Sequence, residues 1–305
     1  MDDTAAAILA LVRRGGRAAV RSPVVARAAA WVCGMQNRDG GWGAFDLDND
    51  SLWLNKIPFS DMDALCDPSS ADVTGRVLEA FGLLLQPPET AAAGVEAGLA
   101  AAIEAACRTG LFYLASTQEA AGAWYGRWGS NYVYGTSNVL CGLRYFARSD
   151  DIVADMAARA ADWLKQVQNA DGGWGEDLAS YRDASLAGRG PSTPSQTAWG
   201  LMGLLSVCEP DDPAVAAAVS HLAATQTAEE AEEDNEHQQP RGMSWPETAY
   251  TGTGFPNFFY IGYTLYRHYF PMMALGRYVS SARAKLQAAN LKSRGREDDD
   301  EAART

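Results

Sequence analysis

The sequence predicts an all-α fold in which helix pairs surround a central axis, an incomplete α/α toroid. Apolar residues recur at steps of three and four, the period of an amphipathic helix, whereas the alternation typical of strands is scarce. The segments between the predicted helices are long and rich in Gly, Asp, Pro and Trp, which is unusual for a simple bundle. Helical periodicity covers residues 3–14, 24–36, 71–86, 92–118, 136–148, 151–168, 195–208, 212–226 and 260–288.

One motif recurs between these helices: an aromatic–aliphatic pair, a Gln, a Gly-containing turn and a Trp. In the three complete copies the aromatic residue lies five positions before the Gln, and the Trp lies six positions after it. The copies are Trp31-Val32…Gln36…Trp42, Tyr113-Leu114…Gln118…Trp124 and Trp163-Leu164…Gln168…Trp174, with a looser fourth copy, His221-Leu222…Gln226…Trp245. Such recurrence indicates one repeated supersecondary unit. We expect each Gln to hydrogen-bond the backbone of its turn and each Trp to pack against a neighbouring helix.

Composition restricts the classes of partner. The chain has 305 residues, 47% hydrophobic content and nine Trp, enough for a sizeable core. Its net charge of −13 argues against a nucleic-acid partner and against electrostatic docking on anionic lipid. The five Cys are scattered without metal-ligand spacing, which is typical of buried thiols in a reducing compartment. No apolar run is long enough for a transmembrane helix.

Two charged segments stand apart from the repeats. Residues 229–236 carry six acids and interrupt the fourth copy, so they are interpreted as a solvated insertion. Residues 289–305 contain the run Arg-Glu-Asp-Asp-Asp-Glu and are predicted to form a disordered polar tail. The predicted domain therefore covers residues 1–288.

Four further segments, together with the repeats, carry a family resemblance. They are Ile57-Pro58-Phe59-Ser60-Asp61…Asp67-Pro68-Ser69…Asp72-Val73-Thr74, Gly126-Arg127-Trp128-Gly129…Asn131-Tyr132-Val133-Tyr134-Gly135-Thr136, Gly190-Pro191-Ser192-Thr193-Pro194-Ser195-Gln196-Thr197-Ala198-Trp199 and Tyr250-Thr251-Gly252-Thr253-Gly254-Phe255-Pro256. Over residues 2–280 the chain resembles the squalene-hopene cyclases, more closely the bacterial hopene type than the oxidosqualene type. The resemblance implies that the repeats are QW motifs, which tie outer helices together in this family. It also implies an α6/α6 barrel that this chain builds incompletely.

The resemblance assigns an acid site to the first residues of the chain. The family motif is Asp-x-Asp-Asp-Thr-Ala, and its last part matches Asp2-Asp3-Thr4-Ala5. By this match Asp2 is the proton donor, Asp3 is its neighbour, and Arg76 is the cationic partner, where some relatives have His. Without the resemblance, two acids at a helix start are an ordinary N-terminal charge pair. Because the first Asp of the motif is absent, we expect the chain to be about the C-terminal half of a cyclase.

The resemblance also assigns a cavity that stabilises positive charge. Aromatic faces attract cations without capturing them covalently. The matching positions are Phe45, Trp128, Tyr134, Phe255, Phe259, Tyr263 and Tyr266, with Phe59 and Ser60 at a substrate-channel constriction. If residues 255–266 are helical, their four aromatics share one face. Periodicity alone would equally suit core packing.

The function implied is a triterpene cyclase domain that protonates and cyclises squalene, or a similar polyprenyl substrate, to hopene-like pentacyclic products. The family needs no metal or other cofactor, and it implies peripheral contact with the cytoplasmic side of the membrane. A separate N-terminal cyclase half is an expected partner, and homo-oligomerisation stays open.

Two alternatives remain at this stage. The first is a catalytically inactive orphan or fragment domain. The second is a protein prenyltransferase β-subunit, which shares the toroid and the Gly-Gly-Trp turns. That class needs a zinc site of Asp, Cys and His, whereas His221, His237 and His268 have no recognisable ligand spacing.

Overall fold

The computed structural model describes residues 1–86, 94–228 and 242–302, with side chains to residue 290. Helices dominate this part of the chain, and the short strands form two small hairpins. The helices are α1 (Asp2–Val20), α2 (Pro23–Gly34), α3 (Ala71–Leu85), α4 (Ala97–Thr117), α5 (Asn131–Leu143), α6 (Asp151–Gln166), α7 (Pro194–Leu204), α8 (Pro213–Thr225) and α9 (Tyr266–Ala302). The strands are β1 (Thr227–Ala228), β2 (Met243–Ser244), β3 (Gly252–Phe255) and β4 (Phe259–Ile261).

The helices form two layers. Helices α1, α3, α5, α7 and α9 contact one another in that order, and α2, α4, α6 and α8 pack outside them. The three middle inner helices, α3, α5 and α7, are buried on nearly every side: each residue from Ser195 to Leu204 in α7 is buried. Glycines let α3 and α5 approach closely, since a Cβ on Gly142 would lie 2.5 Å from the carbonyl oxygen of Gly75. The predicted alternation of inner and outer helices is therefore present.

Several helices start where the sequence supplies a cap. Thr193 accepts a hydrogen bond from the Gln196 N–H at the start of α7, and Asp212 accepts one from the Ala214 N–H at the start of α8. In both helices a Pro occupies the first turn, where its missing N–H costs nothing. Local chemistry thus sets these helix starts.

The repeated motif makes the same bonds in each copy. The indole N–H groups of Trp42, Trp124 and Trp174 donate to the carbonyls of Val32, Leu114 and Leu164 over 2.8, 2.9 and 2.8 Å. Each acceptor is the aliphatic residue of its own motif, and each Trp is fully buried. The packing predicted for Trp42 and Trp174 is confirmed, because Trp42 lies against Gly110 of α4 and Trp174 against Gly200 of α7.

Each Gln of the motif joins its turn to the next outer helix. Gln36 donates to the carbonyls of Gly40 and of Ala106 in α4, over 2.7 and 2.8 Å. Gln118 and Gln168 repeat this pattern with α6 and α8. Gly40 has a φ of 90°, and a Cβ there would lie 2.4 Å from the Thr109 carbonyl oxygen. The motif therefore holds consecutive outer helices together, as predicted.

Three parts of the chain differ from the sequence prediction or lie outside it. The stretch predicted to be helical from residue 260 is a hairpin of β3 and β4, and α9 begins only at Tyr266. Helical backbone continues through residues 289–302, where a disordered tail was predicted, because Ala, Leu, Lys, Arg and Glu favour helix. The acidic segment 229–236 lies outside the described residues. No described helix is long and apolar enough to cross a bilayer.

Candidate functional site

Asp2 and Arg76 meet where α1 and α3 pack together. Arg76 Nε lies 2.6 Å from Asp2 Oδ1, an ion pair whose angle is poor for a hydrogen bond. The other end of the guanidinium contacts α5, since Arg76 Nη2 donates to Tyr134 Oη at 3.0 Å and to Asn138 Oδ1 at 3.2 Å. The ion-pair reach predicted for Arg76 is thus present. Asp3 is exposed at the next position of α1, and the described chain shows no ion pair between Asp3 and Arg76.

The environment keeps Arg76 charged. Burial alone would lower its pKa, but the negative charge of Asp2, and then Tyr134 and Glu79, raise the pKa well above its ordinary value. Burial raises the pKa of Tyr134 despite the neighbouring guanidinium, so this phenol stays neutral. Asp2 therefore faces a permanent cation, the Arg76 guanidinium. The neutral Tyr134 hydroxyl group lies on the other side of that guanidinium.

An aromatic cluster continues from Tyr134 towards α9, and we call it the inner cluster: Tyr134, Trp199, Tyr263, Tyr266 and Phe270. The Tyr134 and Trp199 ring centroids lie 4.8 Å apart, and Trp199 meets Phe270 at 5.3 Å. Tyr263 stacks on Tyr266 at 4.6 Å. These centroid distances match the attractive range of aromatic pairs.

Sequence analysis missed two members of the inner cluster. Trp199 ends a segment that carried the family resemblance, and Phe270 lies one helical turn after Tyr266. The helical period from Tyr266 could have identified Phe270. Nothing local to Trp199 distinguishes it from an ordinary core Trp.

A second group, the outer cluster, consists of Phe45, Arg127, Trp128 and Phe255. Phe45 and Trp128 make an edge contact at 5.5 Å, and the Arg127 guanidinium lies 4.2 Å from the Trp128 ring centroid. The same guanidinium lies 5.9 Å from the Phe255 ring centroid. A protein cation therefore already lies over this aromatic surface.

Asp72, which the sequence analysis did not select, holds the outer cluster in place. Its Oδ2 atom accepts the backbone N–H groups of Arg127 and Trp128 at 2.9 and 2.8 Å. Burial raises the pKa of Asp72, the hydrogen bonds oppose this rise, and the like charge of Asp2 adds to it. Asp72 thus lies within electrostatic reach of Asp2. The motif Asp72-Val73-Thr74 was visible in the sequence, but its contact with residue 128 was not.

The remaining predicted residues have large exposed fractions or lie in loops, and in the described part of the structure they make no aromatic contact with either cluster. Phe59 is 89% exposed and Phe259 is 49% exposed. Ser60 is half-buried in the loop before α3, and its Oγ atom has no hydrogen-bond partner within the described chain. The ring of Phe259 covers Gly254 on the neighbouring strand. The shared helix face expected for residues 255–266 is wrong, because residues 252–261 form a hairpin in which Phe255 and Phe259 pair across β3 and β4.

Within the described residues, the cavity lined by Arg76 is much smaller than a ligand pocket. The cavity there measures about 30 Å³ and is lined by Arg76, Tyr134, Trp199 and Phe270 among others. Typical ligand pockets measure about 300–1,000 Å³. The aromatics predicted for a single pocket fall into separate groups, because Trp128 and Phe255 lie in the outer cluster and Tyr134 lies in the inner cluster.

Several aromatic side chains outside the α-helices are largely exposed. The exposed fractions are 68% for Phe45, 67% for Trp53 and 61% for Tyr250. Apolar surface of this kind marks a binding or contact surface more often than free surface. No group of three metal-ligating side chains occurs in residues 1–86, 94–228 and 242–290.

Comparisons with known proteins agree on one family. A family model described as the squalene-hopene cyclase C-terminal domain matches residues 1–280. A squalene hopane cyclase of Aspergillus fumigatus is 53% identical over 246 residues, which cover 74% of this chain and 33% of that protein. The squalene–hopene cyclase of Alicyclobacillus acidocaldarius is 43% identical over 279 residues, or 91% of this chain and 40% of that protein.

A fusion protein and a solved structure extend the comparison. A terpene cyclase–glycosyl transferase fusion protein of Humicola fuscoatra is 48% identical over 92% of this chain and 20% of its own length. The type II terpene cyclase MstE from Scytonema aligns with a TM-score of 0.52 over 84% of this chain and 60% of that chain. At 20% identity this likeness concerns the fold alone and confirms the all-α toroid. The chain thus spans only 20% of the length of the Humicola fuscoatra protein and 33% of the length of the Aspergillus fumigatus protein.

Proposed function

The chain belongs to the squalene-hopene cyclase family, and we propose that it carries the proton-donating end of a terpene cyclase active site. The observation that carries this proposal is the contact from Asp2 to Arg76 and on to Tyr134 at the edge of the inner cluster. It joins an acid, a permanent cation and several aromatic rings. An alkene is a poor base, so its protonation needs this combination.

Asp2 is the proposed general acid. In its protonated form it donates a proton to the terminal double bond, and a carboxylate is left behind. The Arg76 guanidinium, 2.6 Å from Asp2 Oδ1, stabilises that carboxylate as it forms. Asp3 is proposed as the second acid of the motif. The Asp3 side chain is exposed, and within the described residues it forms no ion pair with Arg76.

The aromatic side chains are the proposed stabilisers of the moving positive charge. A desolvated cation–π contact contributes about 2 kcal/mol. The candidates are Phe45, Trp128, Tyr134, Phe255, Phe259, Tyr263 and Tyr266, to which the contacts add Trp199 and Phe270. Phe59 and Ser60 remain proposed for substrate entry. Because Arg127 lies over Trp128, it would have to move before Trp128 could face a substrate cation.

We propose squalene or a similar polyprenyl chain as the substrate, with a hopene-like pentacyclic product. A related structure of MstE is described as a complex with geranylgeranyl dihydroxybenzoate, which is also a polyprenyl compound. The substrate is lipid-soluble, and exposed aromatics such as Phe59 and Trp53 suit peripheral contact with a membrane. The cytoplasmic side is proposed from the family resemblance.

Activity is expected to need further cyclase sequence. Phe45 and Phe259 are largely exposed, and the cavity at Arg76 measures only about 30 Å³. Water that reaches such rings would intercept a carbocation. We therefore expect residues 1–305 alone to cyclise squalene poorly, and to regain activity with an N-terminal cyclase half fused or added in trans.

The test is a chimera in which this chain replaces the matching segment of the Aspergillus fumigatus relative. Squalene is incubated with the chimera in detergent, and products are measured by gas chromatography. Asp2→Asn should lower turnover by about a thousandfold, the scale of general-acid catalysis, with unchanged circular dichroism. The matched control is Asp155→Asn, an exposed acid of α6.

Retained turnover in Asp2→Asn would exclude Asp2 as the donor. A second chimera in the Alicyclobacillus acidocaldarius frame guards against a mismatched junction. Folded but inactive unsubstituted chimeras in both frames would favour the alternative of a non-catalytic domain. Efficient cyclisation by residues 1–305 alone would contradict the expected need for further sequence.

A further inference from the structure

A second cavity lies at the other ends of the inner helices from Asp2, and it shares Met273 and Arg277 with the small cavity at Arg76. It measures about 830 Å³ and is bounded by the C-terminal ends of α3, α5 and α7 and by α1 and α9. Asp2, Arg76 and Tyr134 instead lie near the N-terminal ends of their helices. The proposed cyclisation uses no residue that lines this cavity. The charged residues of the cavity therefore require a separate explanation.

Three arginines line the cavity, and only one carboxylate balances them. Arg13 Nη2 and Arg277 Nη2 both contact Glu79 Oε1, at 2.6 and 2.9 Å. The third is Arg144, whose guanidinium lies 5.4 Å from the Tyr145 ring centroid. Arg144 forms no ion pair within the described residues, and none of those lining the cavity is an acid. Three positive charges against one negative charge leave an excess of two.

Tyr145 lines the same cavity as the three arginines. Burial raises the pKa of this phenol, while Arg144, Arg13 and Arg277 each act to lower it and Glu79 acts to raise it. All three arginines are therefore within electrostatic reach of one hydroxyl group. Gly82 permits this arrangement, because a Cβ there would lie 2.5 Å from Tyr145.

Helix ends reduce the positive excess but do not cancel it. A helix C-terminus carries about half a negative charge at most, so three such ends carry less than two. Following N–H groups already bond several of the terminal carbonyls, including those of Leu140, Leu143 and Leu204. The cavity therefore stays positive in a chain whose net charge is −13.

The wall beside the arginines is apolar. Leu83, Leu205 and Met273 line the same cavity, and Met273 is 44% exposed. A guanidinium group matches phosphate oxygens in bidentate geometry. A phosphate monoester carries about −1.5 to −2 charges at pH 7, opposite in sign to the excess on the arginines. The combination of charge and apolar wall suits a phosphate group attached to a hydrocarbon chain.

We propose that this cavity binds a phosphoryl dianion through Arg144, Arg13 and Arg277, with any attached hydrocarbon along Leu83, Leu205 and Met273. Two sources share this chemistry, an alkyl or lipid phosphate monoester and free phosphate. This proposal is independent of the cyclase activity, so either can fail without the other.

The test uses isothermal titration calorimetry on the purified chain of residues 1–305. The probes are hexyl phosphate, inorganic phosphate and hexanol. Hexyl phosphate should bind saturably at one site, and Arg144→Ala should weaken it at least about tenfold, the loss of one charge-assisted contact. The matched control is Arg148→Ala, an exposed arginine four residues later that does not line this cavity. It should bind as the unsubstituted chain does.

Each outcome decides the proposal. Tighter binding of hexyl phosphate than of phosphate supports it and assigns an alkyl or lipid source. Equal binding of inorganic phosphate supports it and assigns free phosphate. Absence of saturable binding overturns it, as does equal binding of hexanol, or an equal effect of the Arg144→Ala and Arg148→Ala substitutions.

Discussion

Trp245 donates its indole N–H to the carbonyl of Leu222 over 2.7 Å, although 23 residues separate the two positions. In the other three copies of the motif the same bond joins residues ten positions apart. Leu222 is again the aliphatic residue of its motif. The fourth copy is thus a true copy, with an insertion between its Gln and its Trp. Strands β1 and β2 pair on either side of that insertion.

The indole hydrogen bond should contribute measurably to stability. Trp124→Phe leaves the Leu114 carbonyl without this fully buried donor, so we expect a loss of about 1–3 kcal/mol in the free energy of unfolding. Trp53→Phe, at a side chain 67% exposed, should change it by less than about 0.5 kcal/mol. Urea denaturation followed by circular dichroism measures both. Equal losses would show that the bond contributes nothing specific.

The insertion in the fourth copy should be dispensable for folding. Thr227 pairs with Ser244 and Ala228 pairs with Met243, so an Asn-Gly turn in place of residues 229–242 should close a two-residue hairpin. A shorter loop costs less entropy, so stability should stay equal or rise by about 1–2 kcal/mol. Thermal denaturation compares the two chains. A clear loss of stability would mean that the insertion packs against the domain.

Glu79 should be essential to the packing of the inner helices. It is buried and pairs with Arg13 of α1 and Arg277 of α9. Glu79→Gln leaves two guanidinium groups without their counter-charge, which should cost about 3–5 kcal/mol. The matched control is Asp155→Asn in the exposed pair with Arg159, where about 0–0.5 kcal/mol is expected. Urea unfolding of the two variants tests this, and similar small losses would refute it.

Asp72 should make the folded state less stable as pH rises. Its pKa is raised in the folded state by burial, so the folded state holds this proton more tightly than the unfolded state does. The resulting stabilisation is complete below the unfolded pKa of about 3.9 and is lost as pH rises through the folded pKa. Asp72→Asn removes this dependence, so its stability relative to the unsubstituted chain should be higher at pH 8 than at pH 5.

Asp212→Asn is the control with the opposite sign. Burial acts to raise the pKa of Asp212, but the Lys165 hydrogen bond and the Ala214 N–H lower it overall. Its stabilisation is therefore present above the unfolded pKa and lost as pH falls through the folded pKa. Urea midpoints at pH 3.5, 5 and 8 for the three chains separate the two signs. A parallel pH dependence of Asp72→Asn and the unsubstituted chain would contradict the role of Asp72.

The sequence by itself determined the features that short-range periodicity carries. The helical period predicted the inner and outer helices, and the spacing of Gln36 and Trp42 predicted how each turn joins its neighbours. The match of Asp2 and Arg76 to a family motif predicted their contact. Helix formation and turn geometry depend on residues a few positions apart, so one sequence suffices to detect them.

Only the tertiary structure decided which distant side chains meet. Trp199 and Phe270 join Tyr134, and Asp72 holds Trp128, through contacts between separate helices and loops. A hairpin of β3 and β4 stands where a helix was predicted. Its strands pair from Gly252 to Ile261, and the pairing includes a bulge. Arg13, Arg144 and Arg277 likewise converge from three helix regions on one cavity. Such contacts depend on how packed elements cross in space, which local spacing does not encode.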